Sequence, residues 1–171
     1  MLVVLAGLPG SGKSTVAAAL GRELRAPVLP VDAAEAAMWR AGIDASQQPE
    51  VGLAAYAVVQ AFAAEMLDIG LTVVVDAANL VEPARAAWRE LTDGRDVPLR
   101  WIEVVCTDAG EHRRRLERRG TRYAGFREPT WADVLAREVE PWQDERLVLD
   151  AVRPLEQLVA DALAYLVRPP E

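Results

Sequence analysis

The chain is most constrained by a glycine-rich stretch near its beginning, residues 7–15, which reads Gly-Leu-Pro-Gly-Ser-Gly-Lys-Ser-Thr. This stretch fits the pattern Gly-x-x-x-x-Gly-Lys-Ser/Thr without a mismatch. It follows a short apolar run, Leu2–Ala6, and precedes a helix-forming run, residues 16–24. Because a strand, such a loop and a helix in that order cradle an anion, the sequence predicts a phosphate-binding loop here.

The residue types of the loop suit a nucleoside triphosphate. Gly7, Gly10 and Gly12 can adopt backbone conformations closed to other residues, so that successive N–H groups turn inward at the start of a helix. Lys13 can reach the β- and γ-phosphates, and the Ser14 hydroxyl can complete the ligand shell of Mg²⁺. The predicted nucleotide-binding residues of the loop are Gly7, Leu8, Pro9, Gly10, Ser11, Gly12, Lys13, Ser14 and Thr15.

Composition limits the class of protein. Hydrophobic residues make up 51% and charged residues 26% of the 171 residues, so we expect one globular domain spanning 1–171. The net charge of −7 argues against general affinity for nucleic acid or an anionic membrane. The single cysteine, Cys106, cannot form an internal disulfide, and no stretch reaches the roughly 18 apolar residues of a membrane span. We expect a cytoplasmic protein, monomeric or homodimeric.

Apolar runs alternate with helical patterns along the chain. Strands are expected at 2–6, 26–31, 71–76, 99–105 and 146–149, and helices at 13–25, 32–40, 51–67, 83–91, 108–120, 130–140 and 154–167. Such alternation predicts a parallel sheet with helices on both faces and a ligand site at the carboxyl ends of its strands. Residues 42–49 and 121–129 are expected to be loops.

Three of the expected strands end at an aspartate. Asp76, after the β-branched run 73–75, can hold Mg²⁺ or a water of its shell, although aspartate is also common in turns. Asp32 can orient an acceptor hydroxyl and take its proton, but with Glu35 it also forms a capping-box pattern. Both interpretations of Asp32 stay open. Asp150 is expected to be structural.

The segment 111–122 carries six arginines in twelve residues. Two of them, at most, are expected to close over a nucleotide and stabilise the transferring phosphoryl group, while the others form a solvated face. His112 is expected at the surface of this helix and Cys106 in the core. Trp39, on the helix after Asp32, can line a substrate pocket.

These features together resemble the small-molecule P-loop kinases. The resemblance is carried by the phosphate loop, by the aspartate after the second strand, and by three further segments: 73–80 (Val-Val-Val-Asp-Ala-Ala-Asn-Leu), 115–119 (Arg-Leu-Glu-Arg-Arg), and 140–142 (Glu-Pro-Trp) with 147–150. It is nearest to ATP-binding proteins grouped under an AAA-type domain name, and more distant from gluconate kinase, adenylylsulfate kinase and chloramphenicol phosphotransferase.

The resemblance implies a five-stranded parallel sheet in the order 2-3-1-4-5, helices on both faces, a lid at about 111–130, and transfer of the γ-phosphate of ATP to a hydroxyl. It further implies that Ser14 and Asp76 serve Mg²⁺, that Asp32 faces the acceptor, and that the loop at Ala151 and Val152 lies near adenine. Arg115 and Arg119 would belong to the lid, as catalytic residues with Lys13 and Asp32, and Arg119 would also contact the nucleotide. In many relatives, the aspartate that corresponds to Asp32 is followed by a second acidic residue and an arginine. This chain instead has Ala-Ala-Glu at 33–35.

Other nucleotide-binding classes fit less well. The guanine-recognition segment Asn-Lys-x-Asp of GTPases cannot occur, because Lys13 is the only lysine. A polynucleotide 5′-kinase and a nucleotide-binding regulator without phosphotransfer remain alternatives. The sequence favours an ATP- and Mg²⁺-dependent kinase of a small hydroxyl-bearing metabolite or antibiotic.

Overall fold

The central strand, β1 (Leu2–Ala6), is buried along its whole length and leads directly into the phosphate loop. In the computed structural model, which describes residues 1–43, 51–124 and 126–168, four more strands pair parallel to it, directly or in turn. They are β2 (Val28–Pro30), β3 (Val73–Asp76), β4 (Leu99–Val105) and β5 (Leu147–Asp150). The sheet order is β2-β3-β1-β4-β5, which confirms the order implied by the family resemblance.

Seven helices are found in the described residues. They are α1 (Lys13–Leu24), α2 (Val31–Arg40), α3 (Val51–Asp68), α4 (Glu82–Thr92), α5 (Ala109–Arg118), α6 (Trp131–Leu135) and α7 (Leu155–Leu166). None of the helices in the described part of the chain is long and apolar enough to cross a membrane.

The core has two apolar layers, one on each face of the sheet. Val3 and Leu5 of β1 face a layer with α1 and α7, whereas Leu2 and Val4 face a layer with α3 and Trp88 of α4. Because successive strand side chains point to opposite faces, a strand that is covered on both sides must be apolar at every position. This explains why the strand runs of the sequence are continuous rather than alternating.

Three local predictions are wrong at their boundaries. The second strand stops at Pro30, and α2 begins at Val31 with Pro30 as its N-cap and no side-chain cap bond. Asp32 therefore lies inside the first turn and does not form the capping box suggested by Glu35. The third strand begins at Val73 rather than at residue 71.

The helix expected over 130–140 ends at Leu135, although its capping box is present. The Thr130 side chain accepts from the Asp133 N–H, and the Asp133 carboxylate accepts from the Thr130 N–H. After the helix, the Glu140 N–H donates to the Leu80 carbonyl at 2.9 Å. Most of the loop expected at 42–49 lies outside the described residues.

Arg85 of α4 joins the segment at Glu140 and Pro141 to the loop after β3. Its side chain is fully buried and donates to four backbone carbonyls, those of Asn79, Leu80, Glu140 and Pro141, at 2.8–3.0 Å. The guanidinium also lies 3.9 Å from the centroid of the Trp142 ring. A single buried cation thus joins segments about sixty residues apart and supports the loop that follows β3.

Candidate functional site

The phosphate loop has the geometry that its glycines predict. Gly7, Gly10 and Gly12 have φ of 142°, 83° and 105°, values that side chains disfavour. A Cβ on Gly7 would lie 2.3 Å from the Val104 carbonyl oxygen. The N-cap Gly12 has no side chain to bond the first N–H groups of α1, so these groups are available to an anion.

Asn79 fixes the loop after β3 against the end of β1. Its side-chain amide donates to the Leu5 carbonyl at 2.8 Å and its Oδ1 accepts from the Trp88 indole N–H at 2.9 Å. The neighbouring Ala78 carbonyl accepts from the Gly7 N–H at 3.0 Å. The buried Asn79 adopts a left-handed backbone, φ 50°, which asparagine tolerates. Asn79 belongs to one of the segments that carry the family resemblance, but the sequence pattern predicts no role for it.

Lys13 and Asp76 meet at the bottom of the loop. Their side chains are each 5% exposed, and the Lys13 Nζ lies 3.8 Å from the Asp76 Oδ1. This oxygen is buried without a hydrogen-bond partner among the described residues. The other oxygen, Oδ2, lies 3.7 Å from the Arg122 guanidinium. A buried carboxylate with an unused lone pair is suited to bind a further cation.

The donor set at this point fits Mg²⁺. Ser14 lines the same cavity as Lys13, and Asp76 provides the unpartnered oxygen. The described residues contain no cluster of three or more His, Cys, Asp or Glu side chains that could hold a metal alone. Mg²⁺ usually keeps several waters and takes one or two protein oxygens together with substrate phosphates, which matches one hydroxyl and one carboxylate.

Helix α5 packs directly on the phosphate loop. The His112 Nε2 lies 2.8 Å from the Pro9 carbonyl oxygen, and its ring meets Trp131 of α6 edge-on at 5.1 Å. His112 is buried, so its expected surface position is wrong. Asp108 is the N-cap of this helix, and its side chain accepts from the Glu111 N–H.

Arg115, on the next turn of α5, reaches the loop after β5. Its Nε donates to Glu111 at 2.8 Å and its Nη2 donates to the Ala151 carbonyl at 3.0 Å. It thereby joins the arginine helix to the loop after β5. Val152 follows in this loop, half exposed, and its N–H donates to Asp150. Asp150 also accepts from the N–H of Thr107, as expected of a structural residue.

Cys106 comes directly after β4 and is only partly buried, not a core residue as expected. Burial raises the pKa of its thiol, against the effect of the nearby Arg115. A raised pKa keeps the thiol protonated at neutral pH, which does not favour a nucleophile.

A cavity of about 550 Å³ lies over the phosphate loop. The side chains that line it are strongly basic, which suits a polyanionic ligand. The lining residues include Gly10, Gly12, Lys13, Ser14, Thr15, Arg22, Arg115, Arg119 and Arg122. Most of the loop residues and both arginines proposed from the sequence thus surround one space.

Arg119 connects this cavity to the predicted acceptor residue. It follows the last residue of α5, and its guanidinium lies 3.4 Å from the Asp32 carboxylate and 3.1 Å from that of Glu128. Two carboxylates hold this side chain, so its position is well defined.

A second cavity, of about 310 Å³, lies beside Asp32 and is also lined by Lys13 and Arg119. Trp39 and Phe126 stack along it with ring centroids 5.1 Å apart, which confirms that Trp39 lines a pocket. Further lining residues are Glu35, Tyr56, Arg127 and Arg137. Tyr56 lies in no recognisable motif, and the sequence pattern indicated Glu35 only as part of a capping box.

Burial affects two acidic groups of the second cavity. It raises the pKa of Glu35, and the neighbouring Asp32 raises it further, against Arg137. Burial also raises the pKa of Tyr56 to about 12, so this hydroxyl stays protonated and accepts from the Asn79 N–H at 3.2 Å.

Comparison with known proteins agrees with this arrangement. A family model described as an AAA domain matches residues 2–153, whereas no curated protein matches the chain. A solved sugar kinase from Janibacter sp. HTCC2649 is 23% identical, with a TM-score of 0.71 over 96% of this chain and 93% of that chain.

Two further solved structures resemble the chain at full length. The Mycobacterium tuberculosis APS kinase CysC in complex with AMPPNP and APS is 21% identical, with a TM-score of 0.72 over 98% of this chain and 97% of that chain. Chaetomium thermophilum Kti12 in complex with ADP-AlF3 is 20% identical, with a TM-score of 0.70 over 98% and 100%. Because the family model covers most of its length, the chain belongs to this AAA domain family, and its fold is that of the P-loop small-molecule kinases.

Proposed function

We propose that this protein is an ATP- and Mg²⁺-dependent kinase that transfers the γ-phosphate to a hydroxyl group of a small molecule. The main support is that two cavities meet at Lys13 and Arg119. One contains the phosphate loop and the other contains Asp32. Phosphoryl transfer needs a donor and an acceptor on either side of the transferred group, with positive charge between them.

The nucleotide would bind in the basic cavity. The N–H groups of the phosphate loop and Lys13 would hold the phosphates, and adenine would lie towards the loop at Ala151 and Val152. Ser14 and Asp76 would hold Mg²⁺, which when bound neutralises phosphate charge. Arg115 already reaches this loop through the Ala151 carbonyl, so its guanidinium lies between the predicted adenine and phosphate positions.

The acceptor would bind in the cavity beside Asp32. Its hydroxyl oxygen forms a bond to the γ-phosphorus, the bond from that phosphorus to the β–γ bridging oxygen breaks, and ADP leaves with the electron pair. Asp32 accepts the hydroxyl proton. Lys13 and Arg119 line both cavities and would stabilise the charge on the transferred group.

The test is transfer of label from γ-labelled ATP to a panel of sugars, nucleosides and antibiotics. Asp32→Asn should lower turnover by about a hundredfold or more, as expected for loss of a general base, and should leave ATP binding unchanged. Lys13→Ala should lose both binding and transfer. Asp68→Asn, an exposed carboxylate at the end of α3, is the matched control.

Two alternatives predict other results. A nucleotide-binding regulator would bind ATP but show no transfer above the Lys13→Ala background, and Asp32→Asn would change nothing. A polynucleotide 5′-kinase would label oligonucleotide ends in preference to every small molecule. Either result would overturn the proposal.

A further inference from the structure

Helix α3 has an exposed face that is almost entirely apolar. Its buried side, Ala55, Val59, Ala63 and Leu67, packs on the sheet. On the opposite side, Leu53 and Phe62 are 60% and 59% exposed, and Ile69, just after the helix, is 74% exposed. The other residues that share this exposed face of the helix are Ala54, Ala57, Val58, Ala61, Glu65 and Asp68.

This exposed face has a definite shape. With about 100° of rotation per residue, Ala54, Ala57 and Ala61 fall along its middle, whereas Leu53 and Phe62 fall at its two edges. Small residues flanked by large ones form a shallow groove in which another helix can approach closely. Its two charged residues, Glu65 and Asp68, both lie towards the carboxyl end.

We infer that this face binds the same face of a second copy of the chain, with the two α3 helices antiparallel about a twofold axis near Ala57 and Val58. In that arrangement Leu53 lies at the same level as Phe62 of the second copy. The alanines of the two helices meet between these larger side chains. A self-complementary patch of this kind is what a twofold interface requires.

Charge favours the antiparallel direction. Glu65 lies in the last turn of α3, near the negative end of its own helix dipole, where an acidic residue is unfavourable. Pairing the helices in opposite directions keeps the two Glu65 side chains at opposite ends of the interface. A parallel pair would instead bring both glutamates together.

The size of the face is sufficient for a specific contact. Its apolar side chains expose on the order of 500 Å² per copy, which is large for a patch on a monomer. Two copies would bury about 1,000 Å², the area at which a specific interface becomes credible. The inference is independent of the proposed phosphotransfer, because the face lies on the opposite side of α3 from the core.

Sedimentation velocity over a concentration series tests the interface. The unmodified protein should be a dimer at micromolar concentration, and Phe62→Glu should raise the dissociation constant at least tenfold while leaving ATP binding unchanged. Leu135→Glu, at a side chain 69% exposed on α6, is the control and should remain dimeric. A monomeric unmodified protein, or a Phe62→Glu protein that still dimerises, would overturn the inference.

Two further tests examine the register of the helices. Ala54→Lys or Ala61→Glu alone should weaken dimerisation, and the two combined should restore it, because in the antiparallel pair each lysine would face the glutamate of the other copy. In a Cys106→Ser background, Val58→Cys should form an intermolecular disulfide under mild oxidation, because residue 58 lies beside the twofold axis, whereas Leu135→Cys should not. A double variant that stays monomeric would contradict the antiparallel direction, and absent cross-linking at residue 58 would contradict the position of the axis.

Discussion

The guanidinium of Arg122 lies 3.7 Å from the Oδ2 of Asp76, the carboxylate whose other oxygen faces Lys13 at 3.8 Å. Asp76 is 5% exposed and Arg122 is 42% exposed, so the arginine reaches inward from the surface to a buried charge. It contributes positive charge at the carboxylate that we propose for Mg²⁺.

Arg122 should therefore compete with the divalent cation. Arg122→Gln is expected to lower the Mg²⁺ concentration needed for half-maximal ATP binding by about two- to threefold, a modest effect because the arginine is partly solvated. A titration with Mg²⁺ at a fixed ATP concentration, monitored by calorimetry, measures this change. Arg118→Gln, at the exposed last residue of α5, is the control, and an unchanged or higher Mg²⁺ requirement in Arg122→Gln would argue against competition.

His112 should support the shape of the phosphate loop. His112→Ala removes a buried ring that contacts the Pro9 carbonyl and Trp131, so we expect a loss of about 2–3 kcal/mol in the free energy of unfolding. ATP binding should weaken as well, because the loop loses its contact with α5. Thermal unfolding with and without ATP separates the two effects, and Arg113→Ala on the exposed side of α5 should change neither.

Some of this site follows from the sequence and some does not. The phosphate loop and Asp76 are predictable, because a continuous apolar strand fixes where its carboxyl end lies and parallel strands end at one edge. The inward position of His112 is not predictable, because α5 is polar on most sides and its composition does not indicate which side faces the phosphate loop. Asp32 shows the same limit, since a proline at the end of β2 moved the helix start by one residue and removed the expected cap.

The buried polar contacts of Asn79 and Arg85 are also absent from the pattern of the sequence. Each side chain satisfies backbone groups that come close only when the chain is folded, and the carbonyls bound by Arg85 lie as far along the chain as Pro141. Periodicity describes which side of an element is apolar, but it contains no information on such long-range polar contacts.

Arg85 should be one of the most sensitive positions for stability. Arg85→Met removes the donor of four buried carbonyl bonds and leaves their oxygens unpartnered, so we expect a loss of at least about 3 kcal/mol. Chemical denaturation measures it. Arg95→Met, which breaks an exposed pair with Asp68, should cost under about 1 kcal/mol, and equal losses in the two variants would contradict the role given to Arg85.

Glu35 should make stability depend on pH in a specific direction. Its folded-state pKa is raised above the usual value of 4.5, first by burial and then by Asp32. The folded protein therefore holds the Glu35 proton more tightly than the unfolded chain does, so that stability falls as pH rises from about 4.5 through the folded pKa. Glu35→Gln removes this penalty.

We accordingly expect Glu35→Gln to raise the unfolding temperature at pH 7 by about 2 °C, a small gain because the side chain is only partly buried. The gain should shrink as the pH is lowered towards 4.5, because the folded protein then holds the Glu35 proton increasingly and the buried charge is lost. Differential scanning calorimetry of both proteins between pH 4.5 and pH 8 measures the difference, with the exposed Glu138→Gln as control. A gain that is independent of pH would show that the amide acts through packing or hydrogen bonding and not by removing a buried charge.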